Sequence, residues 1–97
     1  MASGKEYLEY VLEQLSGADG LRCRPMMGEY LIYCKNRLVG GVYDDRLLVK
    51  PTPSACALLS DAPREEPYPG GKPMLLVTEM ENKAFLGQLL RAIAEEV

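Results

Sequence analysis

Acidic residues are the first candidates for chemistry in this sequence. Asp44 and Asp45 are adjacent, and with Glu29 they offer the carboxylate oxygens that hard cations prefer. Two adjacent acids between apolar runs are, however, more typical of a tight turn. Histidine is absent, which removes the commonest general base and metal ligand. We therefore expect no metal ion and no other cofactor.

The glycine pair and lysine at Gly70-Gly71-Lys72 suggest a phosphate-binding loop. Such a loop commonly needs the spacing G-x-x-x-x-G-K-[ST] before a helix, and here Pro73 follows instead. This segment is therefore better interpreted as a turn.

Three cysteines are the remaining potentially reactive side chains, namely Cys23, Cys34 and Cys56. Their number is odd and no pair has C-x-x-C spacing, so neither a disulfide framework nor a zinc site is expected. Cys56 lies near a predicted helix start, but its apolar neighbours favour a packing role. We predict that the protein is not an enzyme and has no catalytic residue.

The composition is that of an ordinary globular protein, with 47% hydrophobic and 26% charged residues. A length of 97 residues suits one domain, so we expect residues 1–97 to form a single unit. No apolar run reaches the roughly 18 residues that cross a bilayer, and the first residues lack the apolar segment of a signal peptide. These features predict a cytoplasmic protein without membrane contact.

The charge distribution argues against direct, sequence-specific DNA binding. The net charge is −3, and no helix-turn-helix pattern is present. Residues 21–50 hold six basic groups against three acidic ones, whereas the remainder of the chain is acidic. This difference is most simply explained by solvated surface of mixed sign, with a mildly basic central region.

Amphipathic helices are indicated near both ends of the chain by apolar residues at helical spacing. The first is predicted over residues 4–15, with Ser3 and Glu6 at the spacing of a capping box. The last begins near Asn82. Its apolar face consists of Phe85, Leu86, Leu89, Leu90, Ile93 and Val97. A short middle helix is predicted after Thr52-Pro53, because threonine is a good cap and proline suits the first turn.

Four strands joined by tight turns are predicted over residues 21–27, 29–34, 38–43 and 46–50. Pro25 cannot donate a ladder hydrogen bond, so the first strand is expected at a sheet edge or with a bulge. Gly40-Gly41 suggests a bulge or a close approach of another backbone. Residues 60–73 form a loop with a brief strand near 66–68, and residues 74–78 form a further strand.

The order of these elements predicts an α+β fold. We expect a two-layer α/β sandwich with a mostly antiparallel sheet of four to six strands, because hairpin-length loops join antiparallel neighbours. One helix lies at each end of the chain and a short helix lies in the middle.

Several segments carry a family resemblance, and they are Arg24-Pro25-Met26-Met27-Gly28, Tyr30-Leu31-Ile32-Tyr33, Leu38-Val39-Gly40-Gly41-Val42-Tyr43-Asp44-Asp45, Leu47-Leu48-Val49-Lys50 and Lys72-Pro73-Met74. Together they resemble the N-terminal domain of the TfoX/Sxy family of bacterial competence regulators. The similarity covers nearly the whole chain. The family usually has Met-Phe-Gly-Gly where this chain has Met26-Met27-Gly28-Glu29.

The resemblance implies a fold like that of secretion chaperones, which are often dimers. It also implies a role in switching on DNA-uptake genes alongside the cyclic-AMP receptor protein. Full-length regulators have a second, C-terminal domain that residues 1–97 do not include. For this chain it implies a non-enzymatic protein-interaction module that acts as a transcriptional co-regulator.

The sheet face that the helices leave uncovered is our candidate binding surface. Leu48 opposes its apolar neighbours on the fourth strand, so an apolar set should remain on that face. We predict that Leu48 and either Ile32 or Leu31 bind a protein partner or a second copy. The predicted basic rim consists of Arg22, Arg24, Arg46 and Lys50. In a competing interpretation, residues 60–73 fold over this face and bury it.

The alternative function is that of a small-ligand-binding or enzymatic domain. Its pocket would lie near Arg24, Glu29, Lys50 and Lys72, whose charges could hold a polar ligand.

Overall fold

The computed structural model describes residues 4–97 and has the expected α+β architecture, with one antiparallel sheet and three helices. In chain order the elements are α1 (Lys5–Gln14), β1 (Leu21–Met26), β2 (Glu29–Cys34), β3 (Arg37–Val42), β4 (Leu47–Val49), α2 (Pro53–Leu58), β5 (Arg64–Glu65), β6 (Met74–Leu76) and α3 (Lys83–Ala94). The sheet has six strands in the order β1-β2-β3-β4-β6-β5. None of the helices in residues 4–97 is long and apolar enough to cross a membrane.

Three two-residue turns connect β1 to β4, at residues 27–28, 35–36 and 44–45. All six turn residues have positive φ, with Met27 at 51° and Gly28 at 88°. This conformation twists a hairpin in the same sense as its strands. Met27 shares the left-handed conformation of Gly28, although it is not glycine.

The two edge strands of the sheet are β1 and β5. Pro25 lies in β1, which is an edge strand as predicted, and it is opposite Tyr30. The other edge is β5, where Glu65 pairs with Met74. The prediction of a brief strand near residues 66–68 was therefore wrong by about two residues. The position of this strand is decided by its pairing with β6 rather than by local composition.

The Gly40-Gly41 pair shows both features that its sequence suggested. The β2–β3 register shifts between Ile32, which pairs with Gly40, and Tyr33, which pairs with Leu38, so the bulge lies directly before Gly40. A Cβ atom on Gly40 would lie 2.2 Å from the carbonyl oxygen of Leu48. No side chain fits at that distance, so glycine allows β3 and β4 to approach.

Local caps define the helix starts. Gly4 is the N-cap of α1 and makes no side-chain capping bond, while the expected cap Ser3 lies outside the described residues. Thr52 caps α2 by accepting a 3.2 Å hydrogen bond from the backbone N–H of Ala55. Asn82 caps α3 as expected, accepting from the N–H of Phe85 at 3.0 Å.

The helices pack against one face of the sheet and form the core with it. The fully buried side chains of this core include Val11, Leu15, Ile32, Val39, Val42, Val49, Leu86, Leu89, Leu90 and Ile93. Both Leu89 and Leu90 of α3 lie in this core, as the sequence predicted. Burial of such side chains is the main stabilising contribution to a fold of this size.

Candidate functional site

The sheet has a helix side, which forms the core, and an outer face. Because directly paired residues of neighbouring strands share a face, the register identifies the outer face. One row across it consists of Arg24, Leu31, Gly41, Leu48 and Leu76. Leu48 is fully buried but does not belong to the helix-side core. A different part of the chain must therefore cover it.

Residues 66–73, which we call the covering loop, lie over this part of the outer face. Pro67 and Gly71 are buried, and the ring of Tyr68 is 6.4 Å from that of Tyr43. The Tyr43 ring lies against Gly41, where a Cβ atom would come within 2.7 Å of it. The competing interpretation of the sequence, in which residues 60–73 fold over the sheet, therefore holds for this part of the face.

Arg46 attaches the covering loop to the sheet. Its Nη1 pairs with Oε1 of Glu65 at 2.6 Å, and its Nη2 donates to the carbonyl oxygen of Pro67 at 3.4 Å. Its Nε also donates to the carbonyl oxygen of Tyr43 at 3.1 Å. The guanidinium group is thus engaged within the chain and holds the loop in place.

A pocket of about 640 Å³ lies between the covering loop and the outer face. Its lining consists of Leu38, Gly40, Tyr43, Lys50, Pro51, Thr52, Pro67, Tyr68, Gly70, Gly71, Lys72, Pro73 and Met74. The walls are mainly apolar or aromatic. Lys50, which is half-buried, and Lys72, which is exposed, are the two charged residues among them.

The electrostatics of this pocket favour a negatively charged group with an apolar part. Burial raises the pKa of Tyr43, so its phenol stays neutral at physiological pH. The hydroxyl group of Thr52 is engaged in capping α2. Neither lysine takes part in the ion pairs of residues 4–97, which join Arg46 to Glu65 and Lys83 to Glu13. The lysine ammonium groups therefore remain available to a ligand.

A second, smaller pocket of about 200 Å³ adjoins the first on the outer face. Its lining consists of Arg22, Arg24, Tyr33 and Asn36. Arg22 Nη1 donates to Asn36 Oδ1 at 3.1 Å, which orients the guanidinium group. Tyr33 pairs with Leu38 of the larger pocket across β2 and β3, so the two pockets are separated by one pair of side chains.

The five residues predicted to bind a partner do not form one accessible surface. Ile32 is fully buried on the helix side, and Leu48 is fully buried on the outer face. The expectation that these two side chains remain accessible is therefore wrong. Leu31, the predicted alternative to Ile32, is half-buried and lies in the same outer-face row as Leu48. Arg46 is engaged internally. Arg24 is exposed and Lys50 is half-buried, so both still present charge on the outer face.

The residues of the alternative predicted pocket are only partly together. Lys50 and Lys72 line the larger pocket, whereas Arg24 lines the smaller one. Glu29 lies at a hairpin end, where its carboxylate accepts hydrogen bonds of 3.0 and 3.1 Å from the backbone N–H of Asp44. The Glu29 carboxylate thus stabilises the turn at residues 44–45.

Several pocket residues were not identified from the sequence, notably Leu38, Tyr43, Tyr68 and Met74. The available signal was the concentration of proline and glycine in residues 66–73. Such composition predicts a loop, but it does not predict the surface on which the loop packs.

The other groups considered for chemistry lie apart from this pocket. Cys23, Cys34 and Cys56 are free thiols, and burial raises the pKa of the Cys34 thiol. Cys34 Sγ donates to the carbonyl oxygen of Asp19 at 3.2 Å. Within residues 4–97, no group of three or more His, Cys, Asp or Glu side chains is placed to hold a metal ion.

Comparison with known proteins places the chain beside a relative of undescribed function. No protein-family model and no solved structure matches the chain. An uncharacterized 12.7 kDa protein in the trpE 5′ region of Spirochaeta aurantia is 32% identical over 95 residues. The match covers 97% of this chain and 83% of the relative. The chain therefore belongs to the same family as that uncharacterized Spirochaeta aurantia protein.

Proposed function

We propose that this domain is a non-enzymatic protein-interaction module that receives a partner on its outer face. The supporting observation is the larger pocket, which joins apolar and aromatic walls to two lysines, Lys50 and Lys72. Protein partners commonly bind through a buried side-chain anchor surrounded by polar contacts. The lining suits such an anchor.

The resemblance to TfoX/Sxy N-terminal domains guides the biological part of this proposal. We infer a cytoplasmic co-regulator that acts in transcription, including competence, through protein contacts rather than by binding DNA itself. Three free cysteines are compatible with a reducing compartment. The net charge of −3 favours a protein partner over the DNA duplex.

A photo-crosslinking amino acid at position 68 tests the proposal, because Tyr68 is exposed at the rim of the pocket. The matched control carries the same group at Glu9, which is exposed on α1. In living cells of the source organism, we expect position 68 to capture one discrete protein and position 9 to capture none. Identical patterns, or no product at position 68, would contradict the proposal. A product of twice the chain mass would identify a homodimer.

The volume of the larger pocket also favours a second candidate function, the binding of a small anionic molecule. Its volume of about 640 Å³ is within the range of small-molecule sites. A panel of small carboxylates and phosphates can be tested by thermal unfolding, since a ligand of the folded state raises Tm. A rise that disappears in Lys50→Ala but persists in Lys5→Ala would support this second function.

A further inference from the structure

We propose that the outer face binds an extended peptide that carries one apolar anchor and a pair of carboxylates about four residues away. This inference rests on the proposed function and specifies the partner's chemistry. The apolar anchor enters the larger pocket, and the carboxylates contact the arginines of the smaller one.

The geometry follows from the strand register. Arg22 pairs with Tyr33, and Tyr33 pairs with Leu38, which lines the larger pocket beside Lys50. A row of four residues therefore crosses the outer face from β1 to the residue after β4, namely Arg22, Tyr33, Leu38 and Lys50. Neighbouring strands are about 4.8 Å apart, so the three spacings span about 14 Å. An extended chain covers that length in about four residues at roughly 3.3 Å each.

Charge complementarity selects an acidic peptide. The outer face carries Arg22 and Arg24 at one end and Lys50 and Lys72 at the other, and none of them is in an ion pair within residues 4–97. Arg22 uses one nitrogen for Asn36, which leaves other guanidinium N–H groups for a ligand. Arginine binds carboxylates through paired hydrogen bonds, so this end favours the acidic residues.

The apolar lining favours a peptide over nucleic acid. Pro67, Tyr43 and Met74 offer a recess for a side chain such as leucine, methionine or phenylalanine. Duplex-binding proteins typically neutralise about 6–10 phosphates, and the outer face offers fewer cations than that. The two lysines at the recess can hold a carboxylate next to the anchor.

Fluorescence anisotropy with a defined probe tests the inference. The probe is a short fluorescein-labelled peptide with paired glutamates, three glycine or serine residues, one phenylalanine and a further glutamate beside it, made in both chain directions. We expect saturable binding of at least one direction, which weakens with salt. Arg24→Glu and Lys50→Glu should each weaken binding roughly tenfold or more. The control Lys5→Glu, which makes the same change in net charge on exposed α1, should change it less than twofold.

A peptide with serine in place of phenylalanine provides the second control, and it should lose most of the affinity. Equal affinity of the two peptides would overturn the inference, as would tighter binding of a single-stranded oligonucleotide of similar length. If neither peptide binds while position 68 still captures a protein, the acidic-peptide inference fails and the proposed function stands. If position 68 captures nothing as well, both fail.

Discussion

The two faces of the sheet are covered by different means. On the helix side, apolar side chains of α1 and α3 pack against the strands, and residues such as Val11 and Leu89 are fully buried. On the outer face, the covering loop is held by the hydrogen bond from Arg46 to the Pro67 carbonyl oxygen and by the ring of Tyr68 beside that of Tyr43, next to the Arg46–Glu65 ion pair. The helix side thus provides stability, whereas the outer face retains a pocket with cationic groups around it.

This difference has a consequence for dynamics. Segments with few buried apolar contacts open at a lower free energy than the core. The covering loop contains exposed residues, including Tyr68, Pro69 and Gly70, and connects to the sheet through a two-residue edge strand. We therefore expect amide hydrogen exchange in residues 66–73 to be faster than in α3.

The largest expected effect tests the helix side. Leu89→Ala removes a fully buried side chain of α3 and should lower the free energy of unfolding by about 2–5 kcal/mol. Urea unfolding followed by circular dichroism measures this change. Gln88→Ala, at an exposed position on the same helix, should stay within about 0.5 kcal/mol of wild type. A near-neutral Leu89→Ala would mean that α3 does not dock on the sheet as described.

The second prediction concerns the glycine that allows β3 and β4 to meet. Gly40→Ala places a Cβ atom 2.2 Å from the Leu48 carbonyl oxygen and 2.9 Å from the Cα atom of Val49. Because both obstacles are backbone, we expect a loss of about 1–3 kcal/mol from overpacking. Gly17→Ala, with its nearest neighbour at 3.7 Å, is the matched control and should be milder in the same urea titration. Equal losses would show that the strands can separate.

Local signals made most of the fold predictable. The bounds of β2 agree with the predicted residues 29–34, because polar turn residues enclose an apolar run. Thr52 and Asn82 cap helices as expected, since capping depends on a few neighbouring residues. The edge position of β1 followed from Pro25, which has no N–H to donate.

The site was less predictable because it depends on contacts between distant segments. Strand alternation indicates two apolar sets, but it does not reveal that Leu48 is fully buried on the outer face. Likewise, Lys50 and Lys72 are far apart in sequence and line the same pocket only after β4 and β6 have paired. Part of the exposed apolar face expected from the sequence is therefore covered, and the larger pocket lies there instead.

A third prediction compares one ion pair on the outer face of the sheet with one on the helix side. Arg46–Glu65 is partly buried and attaches β5, which leads into the covering loop, whereas Lys83–Glu13 joins two exposed side chains at 3.0 Å. A double-mutant cycle with Arg46→Met and Glu65→Gln should give a coupling energy of roughly 1 kcal/mol. The cycle with Lys83→Met and Glu13→Gln should give about 0–0.5 kcal/mol, since exposed pairs are screened by solvent. Equal coupling energies would contradict the view that the Arg46–Glu65 pair fastens β5 ahead of the covering loop.

The smallest effect concerns the pH dependence of stability on the helix side. The hydroxyl group of Ser54 donates to Glu96 Oε2 at 2.6 Å and its N–H donates to Oε1 at 3.0 Å. These bonds stabilise the carboxylate, so the pKa of Glu96 lies below its usual value of 4.5. A lowered pKa in the folded state contributes stability above pH 4.5, and this contribution is lost as the pH falls through the folded-state pKa.

Ser54→Ala should therefore return the pKa of Glu96 toward 4.5 and reduce stability slightly at neutral pH. The difference from wild type should disappear in strongly acidic solution, because Glu96 is protonated in both proteins there. NMR titration of the side-chain carboxyl carbon measures the pKa, and urea unfolding at several pH values measures the stability. Adding Glu96→Gln to both proteins should remove the pH-dependent difference between wild type and Ser54→Ala, whereas adding Glu95→Gln should preserve it. An unchanged Glu96 titration in Ser54→Ala would mean that α2 and the end of α3 are not joined by these hydrogen bonds.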